Sequence, residues 1–97
     1  MEKVSGIYWF YQISKDRAVY IGSSRNVHCR ILDHKAKLTR NKHPNSIFQR
    51  TWAKYGESDF VSEVLERVDV SKLLEREQFW VDAISPFCNF DGPVGRP

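Results

Sequence analysis

The feature that most constrains this chain is its opening hairpin. Residues 5–13 (Ser-Gly-Ile-Tyr-Trp-Phe-Tyr-Gln-Ile) and Ala18 to Gly22 are rich in aromatic and branched side chains and flank the polar stretch Ser14-Lys15-Asp16-Arg17. That pattern predicts two strands joined by a turn. Two strands alone bury too little surface to persist in water, so a third strand must complete the sheet and helices must cover it. Each predicted strand also contains a glycine, in Gly6-Ile7-Tyr8 and in Tyr20-Ile21-Gly22. Glycine weakens a strand and often marks a place where another backbone or a ligand comes close. Tyr8 and Tyr20, taken alone, read as cross-strand packing.

The rest of the chain supplies what the hairpin lacks. From about Asn26 to Asn41 the pattern is helical, with Val27, Ile31 and Leu38 within about 40° of one another at roughly 100° per residue. Asn45 or Ser46 can cap a second helix that carries Phe48, Trp52 and Tyr55 and stops at Gly56. Residues 59–66 read as the third strand. Ser71 is then expected to cap a helix reaching about Ile84, which Pro86 ends. The expected fold is α+β, a small three-stranded antiparallel sheet flanked by three helices. One compact domain over residues 1–91 accounts for it, and the Gly/Pro-rich residues 92–97 read as a tail or the start of a linker.

No apolar run approaches the roughly 18 residues of a membrane span, and the amino terminus lacks a signal-peptide pattern. Cys29 and Cys88 match no zinc-ligand spacing and read as small apolar residues in or near the core. A reducing cytoplasm is the expected setting.

The net charge of +3 conceals a strong polarity. Residues 25–54 hold eight Lys or Arg against Asp33 alone, a balance of +7, whereas residues 57–82 hold eight acids and three basic residues, a balance of −5. A basic third that also contains His28, His34 and His43 has the composition of a surface for a phosphate backbone, although a solvated helical face has it too.

Two polar groups fall where core is expected. On the third helix the apolar stripe is Leu73, Leu74, Trp80, Val81 and Ile84, and with Leu73 at 0° Glu77 lies at about 40°, inside that stripe. An ionised acid there must be neutralised, paired, for instance with Arg30, or bound to a cation. On the first helix, with Val27 at 0°, His34 falls at about 340° on the apolar face and Arg30 at about 300° on its margin. A lone inward histidine is usually a satisfied core residue. An arginine four residues before it and an acid on another inward face point instead to a site.

The ordered set Gly6-Ile7-Tyr8, Tyr20-Ile21-Gly22, Arg30, His34 and Glu77 resembles the GIY-YIG nuclease family. The likeness extends through residues 45–57 (Asn-Ser-Ile-Phe-Gln-Arg-Thr-Trp-Ala-Lys-Tyr-Gly-Glu) and residues 75–80 (Glu-Arg-Glu-Gln-Phe-Trp), covering about residues 5–90. In detail the chain is most similar to the catalytic module of phage and intron homing endonucleases. The resemblance implies a cytoplasmic DNA endonuclease of phage or bacterial type that hydrolyses phosphodiesters with one divalent ion and leaves a 5′-phosphate and a 3′-hydroxyl. Matched to the family's catalytic positions are Tyr8, Tyr20, Arg30, His34 and Glu77, with Asn89 matched to a late asparagine. Ser23, Ser24 and Arg25 stand where some repair-type relatives carry a lysine.

The roles that follow are these. Glu77 is the metal ligand, for Mg²⁺ with Mn²⁺ able to substitute, since one hard carboxylate completed by waters and phosphate oxygens suits that ion. Arg30 stabilises charge on the phosphoryl oxygens. Tyr8 is the first choice for a general base or water-orienting group with Tyr20 as its partner, but a phenol of pKa near 10 needs neighbouring positive charge for that task. His34 accepts the tyrosine's proton or hydrogen-bonds it, and Asn89 orients Glu77 or a metal-bound water. Arg25, Lys35, Lys37, Arg40 and Lys42 are the candidates for DNA-backbone contacts. A separate DNA-recognition domain or a dimer partner would supply sequence specificity.

Competing readings are a stand-alone structure-directed or single-strand nuclease and, from another class, a catalytically silent nucleic-acid-binding module. A zinc or HNH-type site built from Asp33, His34, Asn41 and His43 is a third, disfavoured by the separation of His34 and Asn41 along one helix.

Overall fold

A computed structural model of the protein describes residues 3–89, so the expected tail over residues 92–97 lies outside the described residues. The hairpin is β1 (Gly6–Gln12) and β2 (Arg17–Ser24), followed by α1 (Val27–Thr39) and α2 (Ser46–Tyr55), then β3 (Phe60–Arg67) and α3 (Leu73–Ile84). The sheet is antiparallel in the order β2-β1-β3, so the third strand completes it beside β1. Asn26 caps α1 by accepting from the Cys29 amide, and Asn45, not Ser46, caps α2 by accepting from the Phe48 amide. Gly56 ends α2 at a φ of 87°, a conformation that glycine adopts without steric cost.

The entry to α3 differs from expectation. Asp69 accepts from the Ser71 amide and hydroxyl and starts a single 3-10 turn over Val70–Lys72, so Ser71 donates to the cap instead of being it. Leu74 is 58% exposed, and Glu77 is the one buried residue of α3. The apolar residues of this helix cover the sheet only partly, because two polar anchors hold it. Glu77 reaches Ser23 on β2, while Arg76 Nε and Trp80 Nε1 both donate to Glu66 Oε1 on β3, at 2.8 and 3.0 Å.

Alternation on β1 sends Tyr8, Phe10 and Gln12 into one face, all at most 1% exposed. Tyr8 and Phe10 join Val27, Leu38, Phe48 and Trp52 in the core under α1 and α2, and Phe10 meets Phe48 edge to face at 5.2 Å. Val19 is skipped in the β1–β2 pairing and Leu65 in the β1–β3 pairing, so each outer strand bulges against the central one, the second bulge directly beside Tyr8.

Both motif glycines are explained by close approach. A Cβ on Gly6 would collide with the backbone carbonyl of Glu66 on β3. A Cβ on Gly22 would lie 2.5 Å from the Tyr8 hydroxyl oxygen, because the Tyr8 ring passes over this residue. The outer edge of β2 is closed by the segment after α3: the amides of Phe87 and Cys88 donate to Ala18 and Val19. Cys88 is buried as expected, but Cys29 is exposed, since it sits on the solvent side of the first turn of α1.

Candidate active site

The site forms around Gly22 and Ser23 at the end of β2. From one face of the sheet, the Tyr8 hydroxyl extends across Gly22, where no side chain blocks it. From α3, Glu77 approaches the next residue, and the Ser23 hydroxyl donates to Glu77 Oε1 at 2.5 Å. From α1, Arg30 lies beside the Tyr8 hydroxyl with its side chain half exposed. Helix periodicity explains the difference between Arg30 and His34: the first sits on the rim of the apolar face and the second within it, and His34 is 4% exposed.

His34 is the centre of a buried aromatic cluster. Its Nε2 is 2.6 Å from the Tyr8 hydroxyl, and its Nδ1 is 2.8 Å from Nε2 of His43. Tyr20 packs edge-on against the His34 ring at 5.1 Å and stacks on Phe48 at 5.2 Å. Thus Tyr8, Tyr20, Arg30 and His34 come together on one side of the sheet, with Glu77 close enough to act electrostatically on both tyrosines.

The electrostatics follow from burial. Tyr8 is held far above the ordinary phenol value, chiefly by burial and then by Tyr20, and Arg30 opposes the shift without reversing it. Burial raises Tyr20 as well. Both phenols therefore keep their protons at neutral pH in the free protein, and Arg30 alone is not the positive charge that would make either a base. The Glu77 carboxyl is raised by burial, against the opposing effects of Ser23 and Arg30. The alternative of a structural Arg30–Glu77 ion pair is not realised among the described residues, where the acid paired with Arg30 is Asp33, at 3.9 Å.

Asn89 departs from its expected role. Its Oδ1 accepts from the Ile21 amide and its Nδ2 donates to the Ile21 carbonyl, both at 2.9 Å. Asn89 makes no hydrogen bond to Glu77 among the described residues; the bonds it makes are to the backbone of β2. It positions instead, substituting for a strand partner at the edge where the Tyr20-Ile21-Gly22 motif lies.

His43, which the sequence offered only as part of the disfavoured HNH-type alternative, joins the nuclease-like site through the fold. It lies in the connection between α1 and α2, and only the fold places it against His34. The HNH-type arrangement is not formed. The facing nitrogens of His34 and His43 are 2.8 Å apart, a hydrogen-bond distance, whereas two imidazole nitrogens on one zinc each need about 2.0–2.1 Å to the metal. Asp33 is turned outward to Lys37 at 3.1 Å. Among the described residues no group of three or more His, Cys, Asp or Glu could hold a metal ion.

Of the basic candidates, Lys37 shares the Arg30 side of α1 and acts on both His34 and His43. Lys35 points to another side of the helix by its periodicity. Arg25, Arg40 and Lys42 are exposed.

The buried imidazoles make stability depend on pH. His34 is lowered from 6.5 to about 3, first by burial and then by His43 and Arg30, and His43 is lowered by burial and Lys37. Asp33 opposes both shifts, and the Asn45 backbone opposes that of His43, without reversing either. A folded-state pKa below the unfolded one means that the unfolded chain binds more protons, so this stability is present above about pH 6.5 and is lost as pH falls toward 3. The melting temperature is expected to drop by several degrees between pH 7 and pH 5, and the drop is smaller in His34→Gln. Thermal unfolding across that range checks it, and equal slopes in both proteins would refute it.

The fold is a three-stranded antiparallel sheet that carries tyrosines, an arginine, a histidine and a glutamate around one strand end. The profile of the GIY-YIG catalytic domain matches residues 4–89, and the chain belongs to this family; it is an endonuclease domain. Two solved structures share its fold: the catalytic domain of the homing endonuclease I-TevI, and the catalytic domain of the intron endonuclease I-TevI in a glutamate-to-alanine mutant form. Each is 26% identical with a TM-score of 0.76 over 84% of this chain, covering 88% of the first and 84% of the second. No curated protein matches the chain at a significant level. Among the described residues no helix is long and apolar enough to cross a membrane.

Proposed function

We propose that this domain is a metal-dependent DNA endonuclease. It hydrolyses phosphodiester bonds with one divalent ion, Mg²⁺ or in its place Mn²⁺, as a catalytic module of homing-endonuclease type with low intrinsic sequence specificity. The observation that carries this reading is the buried carboxylate of Glu77 beside the Tyr8 and Arg30 pair. GIY-YIG nucleases generally use divalent metal ions. The donor set fits one: Glu77 is 9% exposed, only Ser23 hydrogen-bonds it among the described residues, and its burial leaves an acid whose charge asks for a cation. A single hard carboxylate suits Mg²⁺ with waters and phosphate oxygens, and zinc is disfavoured because no group of three or more His, Cys, Asp or Glu forms among the described residues. When bound, the ion supplies charge neutralisation at the phosphate and an acidified water.

The remaining work falls to the chain's own groups. Arg30, half exposed and planar, pairs with nonbridging phosphoryl oxygens as their charge grows. Tyr8 holds or orients the attacking water through its hydroxyl, with Tyr20 beside it and His34 fixing its ring. Asn89 keeps the edge of β2 in place. Lys37, with Arg25, Lys35, Arg40 and Lys42, contacts the DNA backbone. The catalytic unit spans residues 1–91, residues 92–97 are a tail or the start of a linker, and a separate recognition domain or a dimer partner provides sequence choice.

The test is nicking of supercoiled plasmid. Cutting is expected in Mg²⁺ and is abolished by EDTA, and DNA binding weakens steeply with added salt, about one power of salt concentration per phosphate contact. Binding without cutting in either Mg²⁺ or Mn²⁺ would identify a silent nucleic-acid-binding module, and cutting undiminished in EDTA would remove the metal from the mechanism.

A further inference from the structure

Two imidazoles, a phenol and one backbone amide form a continuous buried chain. The Asn45 amide donates to His43 Nδ1 at 3.0 Å, His43 Nε2 faces His34 Nδ1 at 2.8 Å, and His34 Nε2 faces the Tyr8 hydroxyl at 2.6 Å. A backbone amide can only donate, so one end of the chain has a fixed direction. Nδ1 of His43 must be bare to accept from it. A neutral His43 then carries its hydrogen on Nε2 and donates to His34 Nδ1, and a neutral His34 carries its hydrogen on Nε2 and donates to Tyr8.

Neutrality is supported independently. Burial lowers both imidazoles, with Arg30 and Lys37 acting in the same sense; the Asn45 backbone opposes this at His43, and Asp33 on α1 opposes it at both, without reversing either shift. The other groups packed on His34 are rings without an acceptor aimed at it: Phe10, Tyr20 and Phe48. The anchor itself is rigid. Asn45 is 4% exposed, caps α2 at the Phe48 amide and donates from Nδ2 to the Cys88 carbonyl at 2.7 Å. His43 is pinned in turn by its own amide, which donates to Gln49 Oε1 at 3.0 Å.

We propose that His43 and the Asn45 amide lock His34 in the Nε2–H tautomer, so that His34 donates to Tyr8 and cannot take its proton. His43 is thereby a positioning residue for the cleavage reaction. The Tyr8 oxygen accepts from His34, and Arg30, which has no acceptor, also lies beside it. The Tyr8 hydrogen is therefore directed away from both, toward bound phosphate or water. The expected alternative, a tyrosine-to-histidine proton relay, is blocked because the receiving nitrogen already holds a hydrogen. A developing phenolate would instead be stabilised by the His34 donor.

This inference rests on the nuclease reading for its catalytic consequence, but its core is measurable without activity. Long-range ¹⁵N–¹H correlation spectra of the labelled wild-type protein at neutral pH are expected to show His34 protonated on Nε2 and bare on Nδ1. A His34 protonated on Nδ1, an equal mixture of tautomers or an imidazolium would overturn the proposal, whether or not the protein cuts DNA. In His43→Gln the side-chain amide still donates to His34 Nδ1. The tautomer is kept, and kcat stays within about tenfold of wild type. In His43→Glu the carboxylate accepts only, the tautomer flips to Nδ1–H, and kcat falls about a hundredfold or more with KM for plasmid little changed, the signature of a misdirected imidazole. A flipped tautomer with wild-type kcat would refute the positioning role. Should the buried glutamate prevent folding, His43→Leu tests the same point, since it releases the lock and must give His34 in mixed tautomers.

Discussion

Glu77→Gln is expected to reduce plasmid nicking in Mg²⁺ by about a thousandfold or more, about 4 kcal/mol of transition-state stabilisation, while the protein melts at the same or a higher temperature. The two halves of this result come from one fact, the burial of the carboxylate. As a charged ligand Glu77 has no ready substitute, because no group of three or more His, Cys, Asp or Glu forms a metal site among the described residues. As a structural residue it is unfavourable: burial raises its pKa, so the stability linked to it is present below the ordinary carboxylate range and is lost as pH rises through the folded value. At pH 7 a neutral amide that keeps the Ser23 hydrogen bond removes that cost. Nicking rates and thermal melts on the same preparations check both halves. Mg²⁺-dependent cutting at near wild-type rate in Glu77→Gln would end the assignment of this residue as metal ligand.

Gly22→Ala is expected to lower the cutting rate about a hundredfold with the fold retained. The added methyl group would lie 2.5 Å from the Tyr8 hydroxyl oxygen and 2.7 Å from Cζ, so the ring must move. It has little freedom to do so, since Phe10, Tyr20 and His34 all pack on it. The displacement therefore falls on the hydroxyl and its 2.6 Å bond to His34 Nε2. Gly6→Ala is a useful contrast, because its new methyl group meets the backbone carbonyl of Glu66 and strains the β1–β3 pairing instead of the catalytic group. Nicking rates, with the His34 ring resonances as a local reporter, distinguish the two. An unchanged rate in Gly22→Ala would show that Tyr8 need not sit where it does.

Much of this was legible in the sequence because it depends on local spacing. The strand, strand, helix, helix, strand, helix order follows from aromatic runs, helical periodicity and the helix-bounding residues Asn45 and Gly56. The inward placement of His34 and Glu77 follows from helix geometry alone, as does the marginal position of Arg30. Two expectations differ from the structure at contacts between elements. Leu74 looked like core, but the sheet under α3 is narrow and the helix is held by Arg76, Trp80 and Glu77. Asn89 was expected beside Glu77, whereas its amide bonds the Ile21 backbone at the outer edge of β2.

The sequence by itself determined the element order, the family and five of the polar groups around the site, Tyr8, Tyr20, Arg30, His34 and Glu77, since each is written in the identity and spacing of nearby residues. Only the tertiary structure decided that Gly22 is small so that Tyr8 can cross it, that Asn89 braces β2, and that His43 stands behind His34. These are contacts between segments far apart in the chain, fixed by strand register and by the path of the α1–α2 connection. No local pattern encodes them. The direction of the hydrogen-bond chain ending at Tyr8 depends on a single backbone amide, a group that every residue but proline possesses and that only the fold can aim.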